Sequence, residues 1–401
     1  MKKSIYLSLF VILSIMLSCK KVTYIDRIIS GLSINNDKAK ISALKKIANG
    51  RFEQAVPKVI KLLKSSNYKI RKSAIWALEK IKDIRAVDPI ITMLKDWNSV
   101  VRTYAAEALG RLGQKRAAPF LLKLLDDNNI YVIMNAACSL GYLKYENAIP
   151  DLIRLFNHNN VKVRISASWA IGKIGEAAVP KLVAVLEKNC LEYNPNTNTN
   201  YLNIKVLNST IDALVYIGPS IIPKLIGEIV YNRNYEFKAN IACAINRMGN
   251  KALPFLFKAF KTSLALYRRK TRRANYDDEA WNLRSKISWI LAAFKVIKHK
   301  NIVKVLFKEL FPINRNISLI NDFIINTLRV FEAKIVISSF ITIYEKSQGN
   351  IDVSLIEQFF GIYKDEKYIR GLTIALNCSH EIIRIEAAKI LAEMNTEKAD
   401  T

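Results

Sequence analysis

The sequence is poor in the residues that make turns, disulfides and catalytic sites. Its 401 residues include 13 glycines and 10 prolines, too few for a protein of many short strands that each need a turn. Only three histidines and five cysteines are present. Hydrophobic residues make up 51%, which excludes a disordered chain. The sequence therefore predicts a large helical protein.

Acidic residues are also scarce relative to basic ones. The chain has 34 Asp and Glu against 62 Lys and Arg, a net charge of +28. Such an excess suits a nucleic acid, an anionic lipid or an anionic glycan as partner. Ile, Asn and Lys are abundant throughout, however, as in proteins from AT-rich genomes, so codon usage accounts for part of the excess. The charge alone therefore does not identify a ligand.

The N-terminus has the pattern of a secretory signal. Lys2 and Lys3 precede an apolar stretch from Ile5 to Leu17. At 1.5 Å per residue this stretch spans about 20 Å, short of the roughly 30 Å hydrocarbon core of a membrane. A cleaved signal peptide is therefore favoured over a permanent transmembrane helix. Its removal would leave a net charge of +26 on the mature chain.

The segment 16–19, Met-Leu-Ser-Cys, resembles the lipobox of bacterial lipoproteins, although leucine is usual where Met16 stands. The resemblance implies a signal peptide at 1–18, lipidation of Cys19 and a short tether at 19–22. It also implies a protein anchored by lipid at the bacterial cell envelope, on the periplasmic side or the outer surface. A plain signal peptide that ends near a cysteine is the alternative.

The rest of the chain is built on a repeat of about 31 residues, within the range typical of solenoid proteins. Segments 70–81, 101–113, 132–143 and 163–175 align without gaps, and each has the pattern of one helix. Two insertions, near 189–203 and 262–280, lengthen the repeat at those places. The shared large apolar position is occupied by Leu78, Leu109, Leu140, Ile171, Leu214, Ile245 and Leu291. Prolines recur with the same period and predict the first turn of a second helix, at Pro57, Pro89, Pro119, Pro150, Pro180, Pro223 and Pro254. Each unit is therefore predicted to be helix A, a turn and helix B.

This pattern resembles the HEAT-like repeat of the phycobilin-lyase type, best over residues 55–175. The resemblance implies an all-α fold, a right-handed α-solenoid of about ten HEAT-like helix pairs over residues 23–396, with a tail at 397–401. No domain boundary is expected within the solenoid, because a single repeat does not bury its own apolar faces. Between 300 and 365 the match is poor, and either degenerate repeats or a repacked cap accounts for it.

Five arginines lie seven residues before the shared apolar position. In this repeat type such an arginine commonly braces the turn between helices A and B against the neighbouring repeat. We therefore expect a structural ladder rather than a ligand site. The five are Arg71, Arg102, Arg164, Arg284 and Arg384.

The residues needed for catalysis are sparse. His158, His299 and His380 are far apart, and no HExxH, GxSxG or GxxxxGK motif occurs. Deoxyhypusine hydroxylase, a HEAT-like metalloenzyme, needs several His-Glu dyads, whereas His380-Glu381 stands alone and Ile385 lies where that family has a ligand. We expect no catalytic residue, metal site or cofactor. No disulfide framework is expected either, from the spacing of Cys138, Cys190, Cys243 and Cys378.

Three positions of each helix B fall on one face, five and two residues before the shared apolar position and two after it. In HEAT-like solenoids the B helices line the concave surface, so this B-helix face is predicted to form a binding groove. The alternative is that Trp76, Trp169 and Trp289, which share one column, are partly buried spacers between B helices. The candidate partner-binding residues are Trp76, Lys80, Tyr104, Glu107, Arg111, Asn135, Tyr142, Trp169, Lys173, Tyr216, Asn240, Arg247 and Trp289.

The second insertion carries a basic run. Five cations occur within residues 267–273, followed by the acidic residues Asp277, Asp278 and Glu279. A solvated loop, partly neutralised by these acids, is one interpretation and an anion-binding site is the other. The candidate anion-binding residues are Arg268, Arg269, Lys270, Arg272 and Arg273.

Together these features predict an envelope-anchored lipoprotein that acts as a scaffold for a protein or peptide partner, without catalysis. Two alternatives remain. One is an enzyme or enzyme subunit that acts on a substrate held in the groove. The other is a module that binds an anionic glycan or lipid through its basic surface. Export argues against a nucleic acid partner.

Overall fold

The protein is built from α-helices and short 3-10 turns. The computed structural model describes residues 24–191, 200–232, 234–271, 278–310, 318–346, 353–361 and 368–399. No strand occurs among these residues. The predicted all-α solenoid class is confirmed.

The chain divides into two compact units, Met1–Ile217 and Gly218–Thr401. The helices of the first are α1 (24–30), α2 (Asp37–Gly50), α3 (Val56–Lys61), α4 (Tyr68–Ile81), α5 (Val87–Thr92), α6 (Ser99–Leu112), α7 (Ala118–Lys123), α8 (Ile130–Tyr142), α9 (Ile149–Arg154), α10 (Val161–Ile174), α11 (Val179–Leu191) and α12 (Asn200–Ile217). Those of the second are α13 (Ile222–Tyr231), α14 (Tyr235–Arg247), α15 (Leu253–Thr271), α16 (Asp278–Ile297), α17 (Lys300–Leu310), α18 (Ser318–Leu328), α19 (Ala333–Lys346), α20 (Val353–Gly361), α21 (Ile369–Leu376) and α22 (Glu381–Ala399). Odd-numbered helices are A helices and even-numbered helices are B helices.

The division falls at Gly218, between helix B of one repeat (α12) and helix A of the next (α13). The sequence predicts no boundary within 23–396. A single solenoid that continues across this junction therefore stays a prediction. The predicted tail at 397–401 begins inside α22, which continues to Ala399.

The first complete repeats have segmented A helices. The six-residue α3 is preceded by the 3-10 turn Glu53–Ala55 and followed by Leu62–Lys64. Pro57 lies in the first turn of α3, where its missing N–H leaves no donor unsatisfied. Helices α7 and α9 have the same design, with their prolines in the first turn. The predicted role of the prolines is confirmed there.

Each of the B helices α2, α4, α6, α8 and α10 begins at a capping asparagine. The side chain accepts a hydrogen bond of 2.9 to 3.0 Å from a backbone N–H of the first turn. Such a cap satisfies one donor that the helix itself leaves unpaired. The five residues, Asn36, Asn67, Asn98, Asn129 and Asn160, each lie one repeat period after the last and form a second marker of the repeat.

Successive B helices of the first unit pack side by side from α2 to α12. Their shared apolar residues are fully buried, as predicted, at Leu78, Leu109, Leu140, Ile171 and Leu214. The contacts from α6 to α12 are more extensive than those of α4 with α2 or α6. Gly141 in α8 explains one of the closer contacts, because a Cβ there would lie 2.7 Å from the Cα of Ala170 in α10.

The equivalent position carries Gly110 in α6 and Gly172 in α10, and both face the next helix B at similarly short range. In α2 and α4 that position is Ala48 and Glu79. The helices from α6 onward therefore pack more closely because a glycine stands at each contact.

In the second unit, helices two apart also contact each other. Helix α16 contacts α18, α17 contacts α19, α19 contacts α21 and α20 contacts α22. A cluster of buried aromatic rings fills the core there, and Phe340 and Phe359 stack with their centroids 4.3 Å apart. Contacts between helices two apart thus occur in the described part of residues 300–365, for which degenerate repeats and a repacked cap both stay predictions.

The predictions for the N-terminus lie outside the described residues. These are the signal peptide at 1–18, Cys19 and most of the tether at 19–22. In the described part of the chain no single helix is long and apolar enough to span a membrane. In that part, the one pair that is long and apolar enough when two helices are counted together is Ile204–Ile217 with Pro219–Ile229. The two helices are bent by 98° at the break between them.

Candidate functional site

Two arginines of the predicted ladder form buried bridges between repeats. Arg71 of α4 donates from Nε and Nη2 to the two carboxylate oxygens of Asp96, at 2.7 and 2.8 Å. Its Nη1 donates to the carbonyls of Ser65 and Ser66, at 2.7 and 3.0 Å, in the turn before α4. Both side chains of the ion pair are only 5% exposed. The predicted bracing role is confirmed for Arg71.

Arg102 of α6 makes the same contacts with Asp127, at 2.7 and 2.8 Å. Burial alone would raise the pKa of Asp127. The hydrogen bonds from Arg102 and from the backbone N–H of Asn129, together with the arginine charge, lower that pKa below its usual value. This bridge therefore favours the ionised carboxylate.

The ladder changes beyond α6. Ile133 replaces the arginine in α8 and is buried. Arg164 and Arg384 donate to carbonyls of the turns before their own helices, at 2.8 and 3.0 Å. Arg284 lies over the ring of Phe323, with its guanidinium carbon 5.6 Å from the centroid, so its predicted bracing of a turn is replaced by a ring contact.

Every candidate partner-binding residue on the B-helix face is at least partly exposed. Ten of them lie on α4, α6, α8, α10 and α12 of the first unit, and the other three lie on α14 and α16 of the second. Trp76, Trp169 and Trp289 are each partly buried. Along the chain, the face of the first unit consists of a cleft, a network of ion pairs and an aromatic patch.

The first part is a cleft of about 440 Å³ formed by α2, α4 and α6, here called the α2–α6 cleft. Trp76 and Tyr104 line it, as the predicted face requires. The ammonium of Lys72 lies over the Tyr104 ring, 4.5 Å from its centroid. The full lining is Ile41, Lys45, Tyr68, Lys69, Lys72, Ser73, Trp76 and Tyr104.

The second part is a network of ion pairs. Arg111 of α6 contacts Glu79 of α4 at 3.1 Å and Glu107 of its own helix at 2.6 Å. Lys80 lies 3.5 Å from the same Glu79 carboxylate. The hydrogen bond that Arg111 donates to the Glu79 carboxylate raises the pKa of Arg111 above its usual value. The charges of this part of the face largely neutralise one another.

The third part is an aromatic patch, defined here as Tyr142, Trp169, Lys173 and Tyr216. Tyr142 and Trp169 meet edge to face with centroids 5.1 Å apart. The Lys173 ammonium lies 5.2 Å from the Trp169 centroid. Tyr142 is 59% exposed and Tyr216 is 47% exposed. Trp169 thus contacts a neighbouring helix B, as a spacer would, within an exposed aromatic surface.

Two polar residues lie between the network and the patch. Asn135 is partly exposed, and its amide donates to the Tyr131 carbonyl at 2.8 Å. Burial raises the pKa of the Cys138 thiol above its usual value, against a hydrogen bond with Ser166 that lowers it. This shift favours the protonated thiol of Cys138 at neutral pH.

In the second unit, Trp289 lines a separate cavity of about 250 Å³ with Trp281, Arg284, Ser285, Ser288 and Phe323. Trp281 is 62% exposed. The remaining two candidates, Asn240 and Arg247, lie on α14. The second unit thus has its own ring-lined cavity on a helix B.

The basic run is not a loop over its first half. Arg268, Arg269 and Lys270 lie in the last turn of α15, where cations interact favourably with the helix dipole. Arg268 pairs with Glu309 at 3.2 Å, and Lys270 pairs with Glu279. These internal pairs favour a structural role over anion binding. Arg272 and Arg273 lie outside the described residues.

No three His, Cys, Asp or Glu side chains come close enough to hold a metal ion in the described part of the chain. Cys138, Cys243 and Cys378 are free thiols, and the side chain of Cys190 lies outside that part. His380 lies 3.9 Å from Glu345 and packs against Tyr344. It is thus part of a contact between helices.

Several residues that line the α2–α6 cleft are not among the predicted partner-binding residues. These are Ile41, Lys45, Tyr68, Lys69 and Lys72. Lys45 stands one period before Trp76, in the same column, so the repeat itself could have identified it. Lys69 and Lys72 occupy other columns, outside the three positions per helix that define the predicted face. Near the start of α4, side chains outside those three columns are therefore also exposed.

Comparisons with known proteins agree with the helical repeat. The family model for HEAT repeats matches residues 25–110, 56–137 and 118–193. A search of curated proteins found no match.

Similar solved structures include the CpcE–CpcF complex of phycocyanin lyase from Nostoc sp. PCC7120, with 20% identity, 66% of this chain and 94% of that chain covered, and a TM-score of 0.36. An engineered protein matches with 17% identity, 92% and 98% coverage, and a TM-score of 0.36. A designed armadillo repeat protein in complex with the peptide (KR)4 matches with 21% identity, 48% and 98% coverage, and a TM-score of 0.34. The family model for HEAT repeats thus matches residues 25–193, the part of the chain in which the structure has helix pairs α1 to α11.

Proposed function

We propose that this protein is an envelope-anchored lipoprotein that binds an extended peptide segment of another protein along the B-helix face of its first unit. The lipobox-like segment at 16–19 supports the anchor. HEAT repeats, which often mediate protein binding, support the scaffold role. Catalysis has no part in this proposal.

One observation carries the binding proposal. Five successive B helices present partly exposed side chains that alternate rings with polar and charged groups. Rings of Trp and Tyr supply large apolar area together with a polar tip, and such residues dominate interface energies. An extended peptide laid across the stack would meet a new helix about every 8–10 Å. Ring sites at both ends of the face would hold it in place.

The test is the double variant Trp76→Ala/Trp169→Ala in the full-length chain. Partner capture by chemical crosslinking in intact cells is expected to fall, while helicity and melting temperature change little, because both rings are partly exposed. Trp97→Ala is the matched control, since Trp97 is 75% exposed, lies in the turn before α6 and contacts Arg71 rather than the candidate residues of the face. It should leave capture unchanged.

Two results would contradict the proposal. Capture equal to that of the wild type would exclude the face. A loss of stability near the 3–5 kcal/mol typical of a truncated buried tryptophan would assign the rings to the core instead.

The anchor has a separate test. Cys19→Ala should abolish incorporation of labelled fatty acid and release the protein from the membrane fraction, because lipoprotein maturation adds several acyl chains to that cysteine and a single chain anchors only weakly. Membrane partition equal to that of the wild type would exclude the lipid anchor. It would leave the binding proposal standing.

A further inference from the structure

The α2–α6 cleft differs from the rest of the face in its charge. Lys45, Lys69 and Lys72 contribute three ammonium groups to its lining. Among the described residues, none of the three pairs with a carboxylate. The cleft is therefore a concentrated site of positive charge beside partly exposed rings.

Acidic groups near the cleft have other partners. The Glu79 carboxylate forms ion pairs with Arg111 and Lys80. The Asp37 carboxylate accepts a hydrogen bond of 2.8 Å from the side chain of Asn67. Glu79 is thus paired with cations and Asp37 is held by a neutral amide, and neither forms an ion pair with the three lysines.

We infer that the α2–α6 cleft binds an acidic peptide segment, with the carboxylates of the peptide at Lys45, Lys69 and Lys72 and its intervening side chains on Trp76 and Tyr104. This inference rests on the proposed function and adds the chemistry of its ligand. Charge complementarity supports this ligand, because three ammonium groups without a carboxylate partner attract an anionic partner and repel a basic one.

The lining of the cleft combines cations with rings. The cations of the described lining are lysines, which act as point charges and pair with single anionic groups on a flexible chain. The rings of Trp76 and Tyr104 then provide apolar area for the residues between the carboxylates of the peptide.

The size of the cleft fits a short extended segment. Two interhelical spacings separate α2 from α6, or about 16–20 Å, which corresponds to about five or six residues of extended chain. The cleft volume of about 440 Å³ is within the usual range for ligand sites. Further along the face come the neutralised network and the aromatic patch. A bound peptide is therefore acidic at the α2 end and apolar toward α12.

The experiment measures fluorescence anisotropy with the full-length chain in detergent. The ligand is a fluorescein-labelled peptide of twelve residues that alternates Glu with Leu and Ser. A matched peptide carries Gln at each Glu, and a third carries Lys. A labelled single-stranded oligonucleotide and a labelled sulfated oligosaccharide represent other anions.

The triple variant Lys45→Gln/Lys69→Gln/Lys72→Gln should weaken binding of the Glu peptide by about tenfold or more. The control Lys58→Gln/Lys61→Gln/Lys64→Gln removes the same charge from the exposed surface of helix A in the same repeat, and it should change binding little. The Gln and Lys peptides should bind the wild type far more weakly than the Glu peptide.

Equal losses in the two triple variants would overturn the inference, because binding would then follow net charge alone. Tighter binding of the oligonucleotide or the sulfated sugar than of the Glu peptide would also overturn it. If partner capture in cells requires Trp76 and Trp169 but not the three lysines, the proposed function stands and this inference fails. If neither set matters, both fail.

Discussion

The two ends of the B-helix stack in the first unit are held together by different means. From α6 to α12, Gly110, Gly141 and Gly172 let neighbouring helices approach closely. From α2 to α6 that position is Ala48 and Glu79, and the helices contact each other less. The buried pair Arg71–Asp96 joins the turns there, while a cleft opens on the exposed face.

This difference shows how one repeat serves two purposes. Close helix contacts leave no room for a cleft between the helices, so a repeat that opens a cleft needs another connection to its neighbour. The Arg–Asp bridge joins the first turn of one helix B to the turn before the next helix B, and Arg71 and Asp96 are not part of the cleft lining, so the bridge holds these repeats together without closing the cleft. The junction of α6 with α8 has both devices, Gly110 and the pair Arg102–Asp127.

The largest expected effect on stability is that of removing the Arg71–Asp96 bridge at the α2–α6 end of the stack. Arg71→Ala leaves the buried Asp96 carboxylate unpaired and should lower the free energy of unfolding by about 3–5 kcal/mol. Urea melts followed by circular dichroism measure it. Arg154→Ala is the control, because its pair with Asp126 is exposed and should contribute less than about 1 kcal/mol. Similarly small losses of unfolding free energy in both variants would show that the Arg71–Asp96 bridge does not stabilise the α2–α6 end.

A smaller effect is expected at the closely packed end. Gly141→Ala forces a Cβ against the backbone of Ala170 and should cost about 1–3 kcal/mol. Gly227→Ala is the control, since no atom lies within 4 Å of its Cβ position in α13. There the alanine should stabilise by about 0.5–1 kcal/mol, because it is the better helix former. Equal effects at both positions in thermal melts would contradict the close contact.

The smallest expected effect is a pH-dependent loss of stability at the Arg102–Asp127 pair, which joins α6 to the turn before α8. The pKa of Asp127 is lower in the folded protein than its ordinary value, so its ionised form stabilises the fold at neutral pH. That stabilisation is lost as the pH falls below about 4, through the folded pKa.

Asp127→Asn should cost about 1–2 kcal/mol at pH 7 and progressively less at lower pH. Urea melts between pH 3 and pH 7 measure this difference, with the neighbouring exposed Asp126→Asn as control. A difference between wild type and Asp127→Asn that does not change with pH would contradict the assignment.

The regular part of the fold was predictable because each repeat solves the same packing problem. The buried column at Leu78 and Leu109 and the prolines of the A helices follow from the repeat period. The same register gives the positions of Arg71 and Arg102, and their bracing role is what the resemblance to HEAT-like repeats implies. The capping asparagines obey that period as well and were missed, since only apolar residues, prolines and arginines were aligned.

The site was predictable only in part. The columns of Trp76 and Tyr142 identify an exposed face, because period and helical geometry determine which side chains point outward. The cleft itself arises where α2 and α4 depart from the glycine pattern, and its width depends on the packing of three helices. The basic run at 267–270 was misassigned to a loop, because α15 extends through the insertion to Thr271.

The most direct test of the B-helix face is site-specific photo-crosslinking in intact cells. A benzophenone amino acid replaces Tyr104 in the α2–α6 cleft, Tyr142 in the aromatic patch, or Phe120, which is 42% exposed on helix A α7. Binding along the face predicts one crosslinked product of the same mass from positions 104 and 142, blocked by excess Glu peptide at 104, and none from 120. Crosslinks from 120 alone, or equally from all three positions, would contradict it.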